Sequence, residues 1–391
     1  MRYWKLIVIP AFIVLVTGVY YIQHAMAGHG YPEFKLTKVN GEEEVARDIT
    51  VLANYQKNIN DIALKISGDG AVSSNDLSYF DRLSGGLYKD PAIEKLQEEY
   101  RNFMRGKNES PHYFSKYGDL LAYVSMKESD QAFMIAVETL NTNTEDTASF
   151  HIEVPGSRKN QMIYMEAVEL SDGVLNIFTR NFTNGGDNLN YYRIDMETRT
   201  LIDSKSLLSA TSSGRESWTE MSSLTMGRGI SAAEYSLFLV SEWEEVPGPY
   251  GHPQPESVAE ELILVNNATG EAEEVEIPEN LKDSIHTAAM EGSVIYLSNM
   301  NEEGMEVLAY NLESAEKGEA QQVIQLPLTK TERRGGPPSV VKGGKLYLAG
   351  YQESVPSVFV VDLSDGNVLY EGIVEAGQNR GKLHINELMV Y

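Results

Sequence analysis

The stretch that decides the fold reads VVKGGKLYLAGY from Val340 to Tyr351 and continues as SVFVVDLSDGNVLY from Ser357 to Tyr370. It predicts consecutive β-strands, because a short apolar run follows a Gly-Gly turn and the segment from Val358 to Val361 is β-branched and aromatic. A turn that begins at Asp362 then leads into the next strand. Looser copies of this pattern occur upstream, so the stretch is one unit of a repeat.

The turn after the third strand aligns across four units. Asp or Asn comes first and accepts a backbone hydrogen bond, and the fifth residue adopts a left-handed conformation that suits Gly. The four copies begin at Asp195, Asn266, Asn311 and Asp362, and Arg199 takes the Gly place in the first of them. The second strands also align and define five units, which start near Gly118, Gly173, Ser236, Gly292 and Gly344.

Four short strands per unit with Gly-marked turns are typical of a β-propeller. We therefore predict an all-β propeller with six blades, or seven if Leu77–Leu83 is also a strand; a two-sheet sandwich and a solenoid are the alternatives. The turn from Phe359 to Tyr370 resembles the PQQ-like and WD-like repeats of bacterial membrane-anchored propellers, although Tyr370 stands where the PQQ-like repeat has Trp. The resemblance concerns the fold and implies no quinone chemistry.

Residues 28–391 are predicted to form one propeller domain, with repeat units over 115–376. N-terminal strands within 45–89, at Asp48–Tyr55 and Ile62–Ser67, are expected to close a blade together with a C-terminal strand over 382–391, because closure hides open strand edges. One short amphipathic helix is predicted over 90–105. Asp90 is its N-cap, and its apolar face is expected to pack against the propeller rim.

Residues 1–27 are predicted to be a transmembrane signal-anchor. Leu6 to Ile22 carry no charge, and at about 1.5 Å per residue they are long enough to cross a hydrocarbon core of about 30 Å. Arg2 and Lys5 place the N-terminus in the cytoplasm. The alternative is a signal peptide cleaved after Ala27, since Ala25-Met26-Ala27 fits a cleavage site. Both interpretations place the propeller outside the cytoplasm, in the cell envelope.

Composition excludes several classes of function. The chain has 391 residues, of which 42% are hydrophobic, and its net charge is -25. So acidic a chain is not expected to bind nucleic acid, which requires Lys and Arg against phosphates. The absence of Cys excludes disulfides, thiol catalysis and Cys-ligated zinc.

The sequence contains no recognisable catalytic motif. None of the seven His residues stands at metal-ligand spacing from another, so we predict no catalytic residue, cofactor or metal. The strongest binding candidate is the Pro-rich stretch from Glu244 to Val258, expected to be polyproline II. Trp243, Tyr250 and His252 are its predicted partner-binding residues.

These patterns favour a non-catalytic, membrane-tethered propeller that binds an extracytoplasmic protein, peptide or envelope component. Two alternatives remain. One is an envelope enzyme that acts on glycans with carboxylates at the propeller axis, and the other is a ligand sensor that associates with another membrane protein. Inward-facing Asp, Glu, His and Arg at the axial mouth would favour the enzyme, whereas an apolar or aromatic patch on one face would favour the binding module.

Overall fold

The computed structural model describes residues 15–16, 18–19, 32–57, 60–78, 82, 86–129, 132–157, 162–183, 186–211, 217–224, 229–248, 253–277, 279–301, 303–312, 321–329, 337–377 and 381–391. Within them the chain forms six antiparallel sheets. Each sheet is one blade of a β-propeller, and the predicted six-bladed fold is confirmed.

The strands of each blade follow from the inside of the ring to the outside. Blade 1 contains β25 (Lys382–Val390), β2 (Ile49–Lys57), β3 (Asn60–Ser67) and β4 (Gly70–Ser73). Blade 2 contains β5 (Phe114–Tyr117), β6 (Leu120–Glu128), β7 (Phe133–Asn141) and β8 (Thr147–Glu153). Blade 3 contains β9 (Met162–Ser171), β10 (Val174–Thr183), β11 (Gly186–Asp195) and β12 (Thr200–Thr211).

The other three blades repeat this order. Blade 4 contains β13 (Ser217–Ser223), β14 (Tyr235–Pro247), β15 (Pro253–Asn266) and β16 (Ala272–Glu274). Blade 5 contains β17 (Ala289–Glu291), β18 (Val294–Asn301), β19 (Gly304–Asn311) and β20 (Gln321–Leu326). Blade 6 contains β21 (Ser339–Lys342), β22 (Lys345–Gln352), β23 (Val355–Asp362), β24 (Val368–Ala376) and, outermost, β1 (Phe34–Gly41).

Strands in the middle of each blade are buried on both faces, which explains the continuous apolar runs in the sequence. In β23, Val358 and Val360 pack toward blade 1, whereas Phe359 and Val361 pack toward blade 5. Blades 2 and 3, 3 and 4, and 4 and 5 also share apolar clusters. Alternate side chains of one strand therefore belong to the two junctions on either side of its blade. The ring is held together by these side chains, which pack between neighbouring sheets.

The junction of blades 1 and 2 is built differently, because helices fill it. Helix α1 (Pro91–Glu99) and the single turn α2 (Arg101–Met104) bury Ile93 and Phe103 against strands of blade 2. A short 3-10 helix, Gly86–Tyr88, covers blade 1 with Leu87. Three further 3-10 helices span Glu43–Ala46, Pro111–Tyr113 and Glu279–Thr287.

The predicted helix over 90–105 is confirmed in position but is not continuous. Asp90 accepts hydrogen bonds from the backbone of Ala92 and Ile93, as expected for an N-cap. The helix breaks at Tyr100, whose φ of -125° and ψ of 52° lie outside the helical region. The break reorients α2, and both Phe103 and Met104 become buried.

The turn predicted to mark each unit uses the expected chemistry wherever the structure describes it, and most of the copy at Asn311 lies outside the described residues. The first side chain accepts a hydrogen bond from a backbone N–H two or three residues later, in the turns that begin at Asn141, Asp195, Asn266 and Asp362. The fifth residues all have φ between 58° and 71°: Glu145, Arg199, Gly270 and Gly366. The sequence alignment missed the copy at Asn141, because Glu145 rather than Gly stands at its left-handed position.

Closure of the ring confirms one prediction and corrects another. Strand β25 pairs antiparallel with β2, from Ile49 opposite Val390 to Gln56 opposite Lys382. However, β1 precedes the predicted closing region and pairs with β24 of blade 6. A seventh blade does not form among the described residues, because Leu77 and Ser78 are not in a strand.

The predicted membrane anchor falls almost wholly outside the described residues, which before Pro32 are only 15–16 and 18–19. No helix in the described part of the chain has the length and apolar character needed to span a bilayer.

Candidate ligand-binding cavity at the propeller axis

A cavity of about 630 Å³ opens at the axis of the ring. Its walls come from the inner strands β25, β5, β9 and β21, together with the start of helix α1 and the loop before β5. Four of the six blades therefore contribute to one site. Its position follows from the fold, because inner strands of a propeller converge on the central channel.

One side of the cavity is formed by the chain between β13 and β14. Ile230 accepts a hydrogen bond from the backbone N–H of Lys116 in blade 2, over 2.7 Å. The backbone N–H of Ala233 donates to the carboxylate of Glu169 in blade 3, over 2.9 Å. Asn267 of blade 4 donates its side-chain amide to the carbonyl of Ala233. This axial segment, Gly229–Glu234, thus links three blades at the wall of the cavity.

The C-terminal strand forms the wall on the side of blades 1 and 6. The Nζ of Lys342 in β21 donates to the carbonyl of Val390 over 3.0 Å. Burial lowers the pKa of Lys342, while the negative charges of Asp48 and Asp90 oppose that shift. The hydroxyl of Tyr391 bonds to Lys65 and to Glu94 of helix α1. Burial, followed by the charge of Glu94, raises the pKa of Tyr391, so the phenol stays neutral.

The loop before β5 contributes His112 and Glu109. Burial lowers the pKa of His112, although a hydrogen bond with the backbone of Glu166 and the charge of Asp90 act in the opposite direction. The imidazole is therefore neutral at neutral pH. Glu109 accepts a hydrogen bond from Gln97 of helix α1 over 3.1 Å.

The charged groups around the cavity are predominantly acidic. Four carboxylates line it, from Asp90, Glu109, Glu169 and Glu387, against the two ammonium groups of Lys95 and Lys342. No Arg lines it. Within the described chain, no group of three His, Asp or Glu side chains has the arrangement of a metal site. The electrostatic environment of the cavity favours a ligand with a positive group.

The structure places only one of the three predicted site residues. Trp243 lies in β14, where its ring stacks on that of Trp218 at a centroid distance of 6.3 Å. Tyr250 and His252 lie outside the described residues. The predicted polyproline II conformation is wrong for most of the Pro-rich stretch, because Glu244–Pro247 pair with Pro253–Glu256 as a β-hairpin. Pro is tolerated there because the ladder lies at the edge of its sheet.

Sequence reasoning missed the cavity residues for a physical reason. Asp90, His112, Glu169, Lys342 and Glu387 come from five separate segments, and no spacing along the chain connects them. The available signal was weak: acidic or basic side chains placed within or next to the first strand of a unit. That position becomes informative only when the inner strands are known to converge.

Comparisons with known proteins find similarity only at a low level. No protein-family model matches the chain, and no curated protein matches it. TolB from Acinetobacter baumannii matches with 12% identity and a TM-score of 0.35, over 87% of this chain and 65% of TolB. The chain thus spans slightly less than two thirds of the length of TolB.

Two other solved structures give similar values. The Dos1 propeller matches with 11% identity and a TM-score of 0.34, over 72% of this chain and 70% of Dos1. A putative 6-phosphogluconolactonase from Bacteroides fragilis matches with 13% identity and a TM-score of 0.30, over 87% and 98% of the two chains. At this level of similarity no activity transfers to this chain. The class of protein, a six-bladed β-propeller, follows from its own six sheets.

Proposed function

We propose that this chain is a membrane-tethered extracytoplasmic binding module whose axial cavity holds a small polar ligand with an ammonium group. The observation that carries the proposal is the cavity itself, of about 630 Å³ and walled by four blades and a helix. Its volume lies within the range of about 300–1,000 Å³ that is usual for small-ligand sites. An amino sugar and a peptide amine both supply such a group, and the two have the same charge.

The preference for a cation rests on the balance of charge. The carboxylates of the cavity outnumber its ammonium groups by four to two, and the imidazole of His112 is neutral. The ammonium group of Lys342 already donates a hydrogen bond to the carbonyl of Val390. An incoming ammonium group would therefore reduce repulsion among carboxylates that lie in a partly desolvated site.

Binding without catalysis is supported by the structural roles of the polar groups. The carboxylate of Asp90 caps helix α1, and that of Glu169 holds the axial segment. The ammonium group of Lys342 secures the last strand. Groups tied in this way make a rigid, preorganised wall, which reduces the entropy lost on binding.

The membrane tether is supported by the sequence of the N-terminus. The uncharged stretch from Leu6 to Ile22 follows Arg2 and Lys5, as in an anchor whose C-terminal side is exported. We expect the full-length protein to sediment with membranes and to be digested by protease added to cells with a permeable outer layer. Recovery of an intact, protected propeller in such cells would contradict this topology.

The ligand class is tested with matched pairs of small molecules. We expect glucosamine or L-lysine to raise the melting temperature of the full-length protein in detergent, and their N-acetylated forms, Nε-acetylated for lysine, to raise it less. Glu387→Gln should weaken the effect, whereas Glu153→Gln on the exposed strand β8 should leave it unchanged. Equal shifts with charged and acetylated molecules, or no shift with either, would contradict the proposal.

A second candidate, a glycan-acting envelope enzyme, is favoured by one observation. Carboxylates and a neutral imidazole line the same cavity, which is the arrangement that the enzyme alternative requires. This candidate predicts that the protein releases reducing ends from purified cell-wall glycan and that Glu387→Gln and Glu109→Gln each reduce the rate. Binding of glucosamine with no release of reducing ends would favour the binding module.

A further inference from the structure

The hairpin of blade 4 has a long open edge along β15, because the outer strand β16 has only three residues. Strands β14 and β15 pair from Tyr235 opposite Asn266 to Pro247 opposite Pro253. The outer strand β16 covers only Ile263–Val265, and the next backbone hydrogen bond joins Val275 to Leu262. From Pro253 to Glu261 no described strand pairs with the outer edge of β15. These residues are exposed or half-buried.

The charge of the three long strands of blade 4 is entirely negative. Strands β13, β14 and β15 contain seven Glu and no Lys or Arg. None of these carboxylates forms a salt bridge with a described residue. Glu244 lies directly opposite Glu256 in the ladder, and like charges in that position destabilise a hairpin. A positively charged neighbour would relieve this repulsion.

Apolar groups accompany the acidic ones. Trp218 and Trp243 are opposite each other in the ladder, with rings 8° from parallel. The indole nitrogen of Trp243 is buried and has no hydrogen-bond partner among the described residues. Val258, at the β-bulge of β15, is 50% exposed. Exposed edges usually carry Lys or Pro that prevent pairing, and here only the tip has Pro, at 253 and 255.

We propose that the outer edge of β15, over Glu256–Glu261, is a docking site for an extended, Lys- or Arg-rich segment of a partner protein. The segment adds one strand to blade 4 beyond β16, and its backbone pairs with the free N–H and C=O groups of β15. Its cationic side chains lie beside Glu256 and Glu261, which share one face of the sheet because their partners Glu244 and Val240 do. This surface is separate from the axial cavity, so it does not depend on the ligand proposed there.

The limits of the site follow from the sequence of the edge. Pro253 and Pro255 have no N–H to donate, so added pairing is restricted to the part of β15 that follows them. At the other end, β16 already pairs with Ile263. The bulge provides a way to block the site, because Val258 has no partner across the ladder in β14. Pro at this position removes a backbone N–H from the exposed part of β15 without removing a residue pair of the β14–β15 ladder.

The probe is a fluorescein-labelled octapeptide of alternating Lys and Val, and the control is the same peptide with Glu in place of Lys. Anisotropy is measured with the full-length protein in detergent. We expect saturable binding of the Lys peptide that weakens as salt rises, and no binding of the Glu peptide. Equal binding of both peptides, or of neither, would overturn the proposal.

Variants separate strand addition from simple attraction of charge. Val258→Pro should weaken binding of the Lys peptide by about tenfold or more, because pairing along the edge of β15 is lost. Glu256→Lys with Glu261→Lys should weaken binding of the Lys peptide and reduce the dependence of that binding on salt. Glu153→Lys, the same change on the outer strand of blade 2, should have no effect. If Val258→Pro binds like the unaltered protein, the edge is not the site.

Hydrogen exchange on the unaltered protein gives an answer even if Val258→Pro fails to fold. Addition of a strand protects the outward N–H groups of β15. The Lys peptide should therefore slow exchange within Glu256–Glu261 and leave the rate on β8 unchanged. Binding without this protection would overturn the proposal.

Discussion

Blades 6 and 4 show two ways to treat the outer edge of a propeller blade. In blade 6, β1 covers β24 from Ala376 to Tyr370, and the sheet has five strands. In blade 4, the three residues of β16 face a hairpin whose strands have 13 and 14 residues. The Glu residues of the covered edge face an outer strand that carries Lys, whereas the open edge of blade 4 is acidic only. An edge can remain open in solution where charge discourages uncontrolled pairing.

The termini explain why blade 6 is so completely closed. After β1 the chain passes through a short 3-10 helix, Glu43–Ala46, and enters blade 1 as β2. Blade 1 is completed by β25 from the other end of the chain. The N-terminal segment thus seals the outside of blade 6, and the C-terminal strand seals the inside of blade 1. The shared apolar cluster of these two blades depends on both termini.

The largest effect is expected from deletion of Lys382–Tyr391. This change removes the inner strand of blade 1 and exposes the edge of β2 and the apolar side chains of Ile49 and Val51. The loss exceeds what a marginally stable domain tolerates, so we expect no cooperative thermal transition and aggregation of the protein. A synthetic peptide of residues 382–391, added during refolding, should restore part of the transition. An unchanged melting curve for the deletion variant would contradict closure.

A smaller effect is expected in the strand that closes blade 6. Phe34 is 2% exposed, and its ring lies edge-on to Tyr55 at 5.4 Å. Phe34→Ala should lower the free energy of unfolding by about 3–5 kcal/mol. The measurement is urea denaturation, with Val39→Ala as the control, because Val39 on the same strand is 54% exposed. Equal effects of the two substitutions would show that β1 does not secure the core.

The junction of blades 3 and 4 is expected to respond to alkaline pH. The hydroxyl of buried Tyr191 lies 2.8 Å from Asn176 and 3.1 Å from the carbonyl of Asn267. Burial raises the pKa of Tyr191 to about 12. The folded protein therefore holds this proton more tightly than the unfolded chain, and the free energy of unfolding should fall as the pH rises from about 10 to about 12.

Tyr191→Phe tests this interpretation. It removes the hydrogen bond from the Tyr191 hydroxyl to Asn176 and should lower the free energy of unfolding by about 1–3 kcal/mol at neutral pH. It should also reduce the loss of stability at high pH. Tyr164→Phe is the control, since Tyr164 is 46% exposed. An unchanged alkaline profile in Tyr191→Phe would assign the pH dependence to other groups.

The smallest effect is expected from shortening the open hairpin. Replacement of the segment from Glu245 to Pro255 by Asn-Gly joins Glu244 to Glu256 through a two-residue turn. The described residues among those removed are exposed or half-buried, so the free energy of unfolding should change by about 0.5 kcal/mol or less. Thermal denaturation measures this difference. A large loss of stability would show that the hairpin tip supports the ring and that blades 4 and 6 are not so different.

The sequence by itself determined the repeat, because local chemistry specifies turns and strands. The Asp or Asn that opens each turn, and the left-handed residue that ends it, act within five residues of chain. The pairing of β25 with an N-terminal strand was also predictable, because an unpaired terminal strand with apolar alternation needs a partner. The turns and strands depend on residues that are close in the sequence, and closure of the ring depends on one pairing between the two ends of the chain.

Only the tertiary structure decided which side chains share the axial cavity and which edge stays open. Lys342 and Glu169 lie in different blades, and only the convergence of β21 and β9 brings them to one wall. The Pro-rich stretch reads as a loop, yet Glu244–Pro247 find partners across a ladder whose register is set by Leu237 and Leu264 in the core. Local propensity is overridden where hydrogen bonds and apolar contacts with distant strands contribute more free energy.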